Sequence, residues 1–476
     1  MTILRSSLIK RTLLAIELII LFVYCISPFL TLDTQLTHPL TLKMDVPAYS
    51  NNLVHALYTN ALKYPIHSIW GGPSYDAGHD ITLDGNGHIY TVGTTTTYSY
   101  QFDLCLLKWN TAGNLLWNRT FGKSEGSEEG FGIAVTTNGS YIYTCGYVKA
   151  DTEYNRKQPL VVKWDEKGNM IWTRTWNMSA DAYLQDIVLG GDGSIYTVTQ
   201  QLLLMKWDSK GNILWNSTWN GSSWDHGMRL TIDPEDNIYA IGYTRIDDCT
   251  SLLLIKWNSN GTILWNRTWS EIEKRIDNLG IDLAYSDGSI YTIGRRGHRK
   301  VHYSSSLIMR WDSKGNILWN KTGSGFLGGS TIAASDRGNI YTVGYAQSEI
   351  TTKTKGMPSM GDIALAKWDS SGNQTGIKIW SASVWWDYGN AMVIDNNEKI
   401  YCVGGANASD IAFFAPQTDL LFVIFSATDF SPVPQSSGLR FPLVETLALV
   451  FWASIGGMWV VLIYWFKGSS TNRKKK

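Results

Sequence analysis

The sequence predicts an all-β fold, a seven-bladed β-propeller of four-stranded antiparallel blades, with N- and C-terminal transmembrane helices. Three observations predict it. A phrase close to Ile-Tyr-Thr-Val-Gly recurs with tyrosines at Tyr90, Tyr143, Tyr196, Tyr239, Tyr291, Tyr341 and Tyr401. A second phrase, Lys-Trp-Asp-x-x-Gly-Asn-x-x-Trp, alternates with it, its first tryptophans at Trp109, Trp164, Trp207, Trp257, Trp311 and Trp368. A period of about fifty residues built only from strand-like segments marks a propeller. Third, a long apolar run stands near each end of the chain.

Residues 1–11 form a basic tail with Arg5, Lys10 and Arg11 and no acid. Residues 12–31 are apolar but for Glu17, and long for a signal h-region. They are read as an uncleaved anchor, with a cleaved signal segment as the alternative. Residues 32–65 read as a stalk, in which 51–64 have helical spacing. Residues 428–442 read as a linker, and 443–466 are apolar but for Glu445, long enough to span a hydrocarbon core of about 30 Å. Trp459, Tyr464 and Trp465 sit where aromatic anchors belong. Residues 467–476 form a second basic tail. Positive residues stay inside, so both termini are expected in the cytoplasm and the propeller outside the cell membrane. Sequons directly after repeat tryptophans, at Asn118, Asn216, Asn266 and Asn320, fit that side and are candidates for N-glycosylation; mere copying of the repeat is the other reading.

The propeller is placed at residues 66–427. In one unit, residues 80–84 form a first strand, Gly85, Asn86 and Gly87 a turn, and 89–93 a second strand. Residues 103–109 and 115–120 form the third and fourth, around a turn at 111–114. Four strands joined by short turns make one blade. The two tryptophans of a unit stand eight apart in five units. Trp368 and Trp380 stand twelve apart, which predicts a longer turn there. The last unit has a third strand at 410–415 and no tryptophan-bearing fourth. An orphan fourth strand, residues 66–72, precedes the first unit and is expected to complete blade 7 beside 410–415. Residues 420–425 are the competing third strand.

Lysine plus arginine equals aspartate plus glutamate, 41 each. Without the tails and the apolar runs, 33 basic residues face 39 acidic ones, a net of about −6. That disfavours nucleic acid as a partner. Five scattered cysteines make no disulfide scaffold or metal spacing; Cys105, Cys145 and Cys402 read as core residues.

These units resemble the SBBP-type β-propeller repeat, a WD-like repeat of prokaryotic cell-surface proteins. The match runs through Gly71, Gly72, Asp76, Gly78, Asp84, Asn86, Tyr90, Gly93, Asp103, Trp109, Asn114 and Trp117, and covers residues 66–415. The resemblance implies seven blades and a surface location, and no shared catalytic residue. Residues 207–215 are also similar to the tryptophan-docking repeat of quinoprotein dehydrogenases, but those have eight blades.

One register stands apart from the phrases. About fourteen residues before the repeat tyrosine come Asp76, Glu129, Asp225, Asp277 and Asp387, with Asp181 at fifteen. These enter the innermost strands, so six carboxylates would ring one channel mouth. Two readings stay open. Each acid caps its own loop amides, or the ring is a metal site for a cation such as Ca2+, since clustered carboxylates repel until something positive arrives. No other cofactor is required, and no catalytic motif is visible. The expected function is a non-enzymatic binding or interaction module at the cell surface, its partner a surface protein or a glycan. The alternatives are a structural envelope component and a quinoprotein- or glycosidase-type enzyme.

Overall fold

The computed structural model describes residues 65–432, apart from 73, 97–100, 123–125, 150–155, 177, 179, 223, 299–303, 324–327, 348–360, 381–386, 408–417 and 427–429. No helix among the described residues is long and apolar enough to cross a membrane. Both apolar runs, both basic tails and the helix expected at 51–64 lie outside the described residues.

Seven antiparallel sheets follow one another along the chain, at residues 76–121, 128–175, 184–218, 226–269, 276–322, 328–380 and 387–426. Each innermost strand packs against those of the blades before and after it, and blade 7 packs against blade 1. Ile66–Trp70 supplies the fourth strand of blade 7, so the N-terminal side of the chain closes the ring. Its partner differs from the expected one. The third strand of blade 7 is Thr418–Ser426, which pairs Ile66 with Ile424 and Trp70 with Leu420. Its seven consecutive buried residues, Asp419 to Phe425, show why. A third strand is covered on both faces, and residues 410–415 offer no apolar run of that length.

Each repeated word has a structural job. The first tryptophan donates from Nε1 to the threonine of the Tyr-Thr word: Trp109 to Thr91 at 3.0 Å, Trp164 to Thr144 at 3.0 Å, Trp207 to Thr197 at 2.9 Å, Trp311 to Thr292 and Trp368 to Thr342 at 3.0 Å. A buried indole N–H left unpaired is costly, so the two words travel together. Blade 4 has Ala240 instead, and Trp257 turns to Ser217 of the preceding blade, 3.2 Å. Blade 7 lacks both partners. Phe425 stands at the tryptophan register and Cys402 at the threonine register.

The basic residue beside each first tryptophan lies over the repeat tyrosine, as Lys108 over Tyr90 at 5.0 Å, Lys256 over Tyr239 at 4.7 Å and, in blade 5, Arg310 over Tyr291 at 5.5 Å. The aspartate or asparagine after the tryptophan caps the hairpin: Asp208 Oδ1 accepts from the N–H groups of Lys210 and Asn212, and Asn110 Oδ1 from those of Ala112 and Asn114. The hairpin glycines have φ near +80°, as Gly211 at 83°. A second reason for glycine is the neighbouring blade. A Cβ on Gly168 would stand 3.1 Å from the Trp117 ring and 2.9 Å from Arg119. That arginine stacks on Trp117 and donates to the Lys167 carbonyl of the next blade at 2.7 Å. The outer strand of one blade thus clasps the hairpin of the next.

Blade 6 departs from expectation. Its third hairpin has the usual length, with Asp369 capping Asn373. Trp380 is not the second tryptophan displaced by a long turn. It pairs with Ile363, the register held by Phe121 in blade 1 and Trp269 in blade 4. The second-tryptophan register is Gly376. Phe430 fills the space: a Cβ on Gly376 would stand 2.7 Å from the Phe430 Cβ. Its ring lies 5.6 Å from Tyr341, as Trp215 lies 6.0 Å from Tyr196. The chain then pairs Ser431 with Ile377 and Pro432 with Gly376 as a fifth strand. Part of the expected linker therefore belongs to blade 6.

Strand directions define two rims. First-to-second and third-to-fourth hairpins share one, the hairpin rim. Second-to-third loops and links between blades share the other, the loop rim. Phe430→Ala is expected to lower stability by about 1–2 kcal/mol, because a half-buried ring is lost. Adding Gly376→Trp to that variant is expected to restore much of the loss, and urea melts of the two measure it.

Candidate functional site

All seven first strands carry one bulged residue at the same height: His79, Phe131, Gln185, Met228, Ile281, Ser330 and Asn390. Here the backbones of the first and second strands close up. A Cβ on Gly93, Gly146, Gly242 or Gly404 would stand 1.8–2.0 Å from a carbonyl oxygen of the first strand. The glycine ending the Ile-Tyr-Thr-Val-Gly word is required for that approach.

The bulge also re-registers the expected acids. Asp76, Asp225 and Asp387 stand two residues before the inner glycines Gly78, Gly227 and Gly389. In blades 2, 3 and 5 that place belongs to Glu128, Ala182 and Asn278. Glu129, Asp181 and Asp277 stand one residue away. The first hairpin is one residue longer in blade 2 and one shorter in blade 5 than in blade 1, which counting from the tyrosine could not reveal. A one-residue slip turns a strand side chain to the other face. The six acids therefore do not form one ring, and among the described residues no three His, Cys, Asp or Glu side chains gather as a metal-holding group.

Their contacts stay within their own blade or the one beside it. Asp76 accepts from the Gly72 N–H at 2.8 Å and from the Thr95 hydroxyl. Asp225 accepts from the Gly221 and Ser222 N–H groups at 2.7 Å and from Thr244 Oγ1 at 2.6 Å. Asp181 accepts from the Lys157 N–H at 3.1 Å and Asp277 from the Thr250 N–H at 2.8 Å. Asp387 is buried. Glu129 accepts from the Tyr147 hydroxyl.

Just below the bulge, the channel-lining residues are Asp80, Gly132, Asp186, Arg229, Asp282, Thr331 and Ala391. No word of the repeat predicts them. The three aspartates latch neighbouring blades. Asp80 accepts from the Ile133 N–H at 2.9 Å, Asp186 from Leu230 at 2.7 Å and Asp282 from Ile332 at 2.9 Å. Blade 7 uses its bulged residue instead, Asn390 Nδ2 donating to the Gly78 carbonyl at 2.8 Å. Arg229 crosses the channel from blade 4. Its guanidinium stands 3.6 Å from Asp80 and 3.7 Å from Asp186, and donates to the His79 and Phe131 carbonyls at 3.1 and 3.3 Å. A cavity of about 170 Å³ lies beside it. Burial works against the Arg229 charge, but Asp80, Asp186 and Asp282 outweigh it and hold its pKa up. Burial pushes Asp186 up to about 7, Arg229 opposing and Asp80 adding to the rise. Burial, with Arg229, holds His79 down near 4.

Above the bulge the repeat breaks down. Cross-strand pairs there are Ala77 with Thr94, Glu129 with Tyr147, His226 with Tyr243, Leu279 with Arg295, and Tyr388 with Gly405. In blade 3 Tyr183 faces Gln200. Aromatic side chains gather on this level. Phe131 lies 5.9 Å from Tyr147, 5.6 Å from Tyr183 and 5.5 Å from His79. Lys157 lies over Tyr147 at 4.1 Å and over Tyr183 at 5.4 Å. His226 stacks on Tyr243 at 4.9 Å. Phe131, Tyr183, Tyr243, His226 and Tyr388 are half-buried, so part of each surface meets solvent at the mouth. Burial, with the Glu129 hydrogen bond and charge, raises the Tyr147 hydroxyl far above its ordinary range and keeps it protonated. The arrangement offers aromatic surface, one carboxylate and one ammonium over a plugged channel.

No family model matches the chain, and no curated protein matches it. The SBBP-type resemblance thus has no matching model behind it. Solved structures that are similar include a protein of unknown function from Bacteroides caccae and the Neurospora crassa Pan2 WD40 domain. The first has TM-score 0.37 and 12% identity, covering 57% of this chain and 98% of that one. The second has TM-score 0.49 and 10% identity, covering 75% and 93%. The class rests on the sheet topology itself: an all-β, seven-bladed propeller.

The folded Asp186 keeps a proton that the unfolded chain has already lost, because its folded pKa lies above the ordinary 3.8. Its contribution is complete below pH 4 and is lost as pH rises through about 7. Asp186→Asn is expected to become more stable relative to wild type as pH rises from 4 to 7. Paired melting curves across that range measure the difference, in which His79 cancels.

Proposed function

We propose that the chain is a non-enzymatic interaction module, held at a membrane, that seats a protein partner over the loop-rim mouth. The observation that carries this reading is the change in the repeat above the bulge. Below it, apart from the channel-lining level, the words of the second and third strands recur because each blade needs them. Above it, the residues differ from blade to blade and are rich in tyrosine, phenylalanine and histidine. Half-buried aromatic side chains on a rigid scaffold are what binding surfaces concentrate. Loops of unequal length rise around the same rim, which suits recognition.

Two further points support the membrane and outer-surface parts of the reading. The apolar runs at 12–31 and 443–466, with their basic tails, would anchor the propeller from both sides of the sequence. Asn118, Asn216 and Asn320 are exposed on outermost strands, and Asn266 is half-buried there, so a glycan could be carried at the perimeter.

Phe131→Ala and Tyr183→Ala are expected to abolish crosslinking of the partner on intact cells while the chain still melts cooperatively. Leu214→Ser on the far rim is expected to leave crosslinking intact. Partner capture that is equal in all three variants overturns the mouth as the site. Capture of glycans alone on an array, lost in the same mouth variants, overturns the protein partner and keeps the mouth.

A further inference from the structure

The hairpin rim carries a repeated apolar feature that ring packing does not use. The residue before each second tryptophan is aliphatic in five consecutive blades: Leu116, Ile171, Leu214, Leu264 and Leu318. Their exposures are 48, 47, 55, 49 and 52%. Single exposed aliphatic residues are ordinary on any surface. Five at one height on consecutive blades, with a second exposed aliphatic neighbour on four of them, form an arc at one rim. Lys167, Lys210 and Lys314 stand exposed in the adjoining hairpins. Acids such as Glu166 share the rim, so what it offers is apolar contact with lysines at its edge rather than net charge.

The chain leaves the propeller at this same rim, in the two blades outside the arc. Ile66 opens its strand opposite Ile424, at the hairpin-rim end of blade 7. Ser431 and Pro432 run antiparallel to the outer strand of blade 6, toward its hairpin. Ten residues separate Pro432 from the apolar run that begins at Leu443. Even fully extended they reach roughly 35 Å. That run is therefore tethered close to the rim bearing the exposed aliphatic side chains.

We propose that the hairpin rim lies against a lipid bilayer, with the arc of Leu116, Ile171, Leu214, Leu264 and Leu318 seated at the boundary of headgroups and acyl chains. This rests on the membrane-held reading above, and adds an orientation to it. Aliphatic side chains flanked by lysine are the side chains that settle at that boundary. The loop rim, with its aromatic mouth, then faces away from the bilayer.

The test uses the full chain reconstituted in phosphatidylcholine nanodiscs, in a Cys25→Ser background, since the four described cysteines are buried. Leu214→Cys and Leu318→Cys carry an environment-sensitive dye, and Trp224→Cys, on the loop rim, is the control. A nitroxide on the lipid acyl chain is the quencher. Expected are loss of dye fluorescence at Leu214 and Leu318 and none at Trp224. Retention of the chain in the bilayer with no quenching at any site overturns the orientation and leaves the anchor standing. Failure of the chain to stay in the bilayer after alkaline extraction overturns both. Dyes at Leu214 and Leu318 shielded from lipid-borne and aqueous quenchers alike, in particles holding two chains, show a second copy on the rim and overturn the lipid contact.

Discussion

A four-stranded blade has two apolar faces and can hide neither alone. The second and third strands here are buried on both sides, and the atoms that bury them belong to other blades. The ring must therefore close, and it closes where Ile66–Trp70 pairs with Thr418–Ser426. These strands lie about 350 residues apart in sequence, so closure orders the whole chain between them before it is rewarded. The outer clasps then act in one rotational sense. Arg119 reaches from blade 1 to the hairpin of blade 2, Arg174 from blade 2 to blade 3, and Arg267 from blade 4 to blade 5. Each clasp needs its neighbour already in place, which couples the blades into one unit.

The same requirement separates structural from functional residues. Where Thr91 is needed by Trp109, the pair recurs, and where blade 7 loses one it loses the other. Where Phe430 replaces a tryptophan, the displaced position has become Gly376, because two aromatic rings cannot share the space. Such substitutions are repairs and say nothing about a ligand. The channel latches are less regular. Aspartates alternate through blades 1, 3 and 5, and Arg229 comes within 3.7 Å of two of them from across the axis. Blocking the channel with a guanidinium held between two aspartate side chains and two carbonyls costs desolvation that simple packing would avoid. What it leaves is a firm floor beneath Phe131 and His79, whose backbones the arginine holds.

Much of the fold was legible in the sequence because the repeat exposes its own period. Blade number, strand count and the borrowed closing strand all follow from where the words fall. The failures share one cause. Counting from a tyrosine assumes hairpins of constant length, and blades 2 and 5 depart from it by one residue in opposite directions. That sufficed to draw Glu129 and Asp277 into a ring with Asp76 that strand geometry does not support. Trp380 departs for a related reason: its spacing from Trp368 suggests a longer turn, whereas it stands at the register of Phe121 and Trp269 on a hairpin of ordinary length. The mouth was missed because attention to what repeats passes over what does not. Yet a signal was present. The residue after each repeat glycine runs Thr94, Tyr147, Tyr243, Arg295, Tyr345 and Gly405, a sudden scatter after a constant word.

Polarity between the two rims follows from strand count alone. With four antiparallel strands per blade, first and fourth strands run in opposite directions, so every link between blades must fall on the rim that also carries the second-to-third loops. Variable segments are collected there, while the opposite rim holds only tight hairpins whose length the clasps constrain. A chain that begins with a fourth strand and ends after a third must enter and leave at the hairpin rim. The borrowed strand that closes the ring therefore also decides which face the two ends share. Both places where the chain joins or leaves the ring lie on the rim opposite the aromatic mouth.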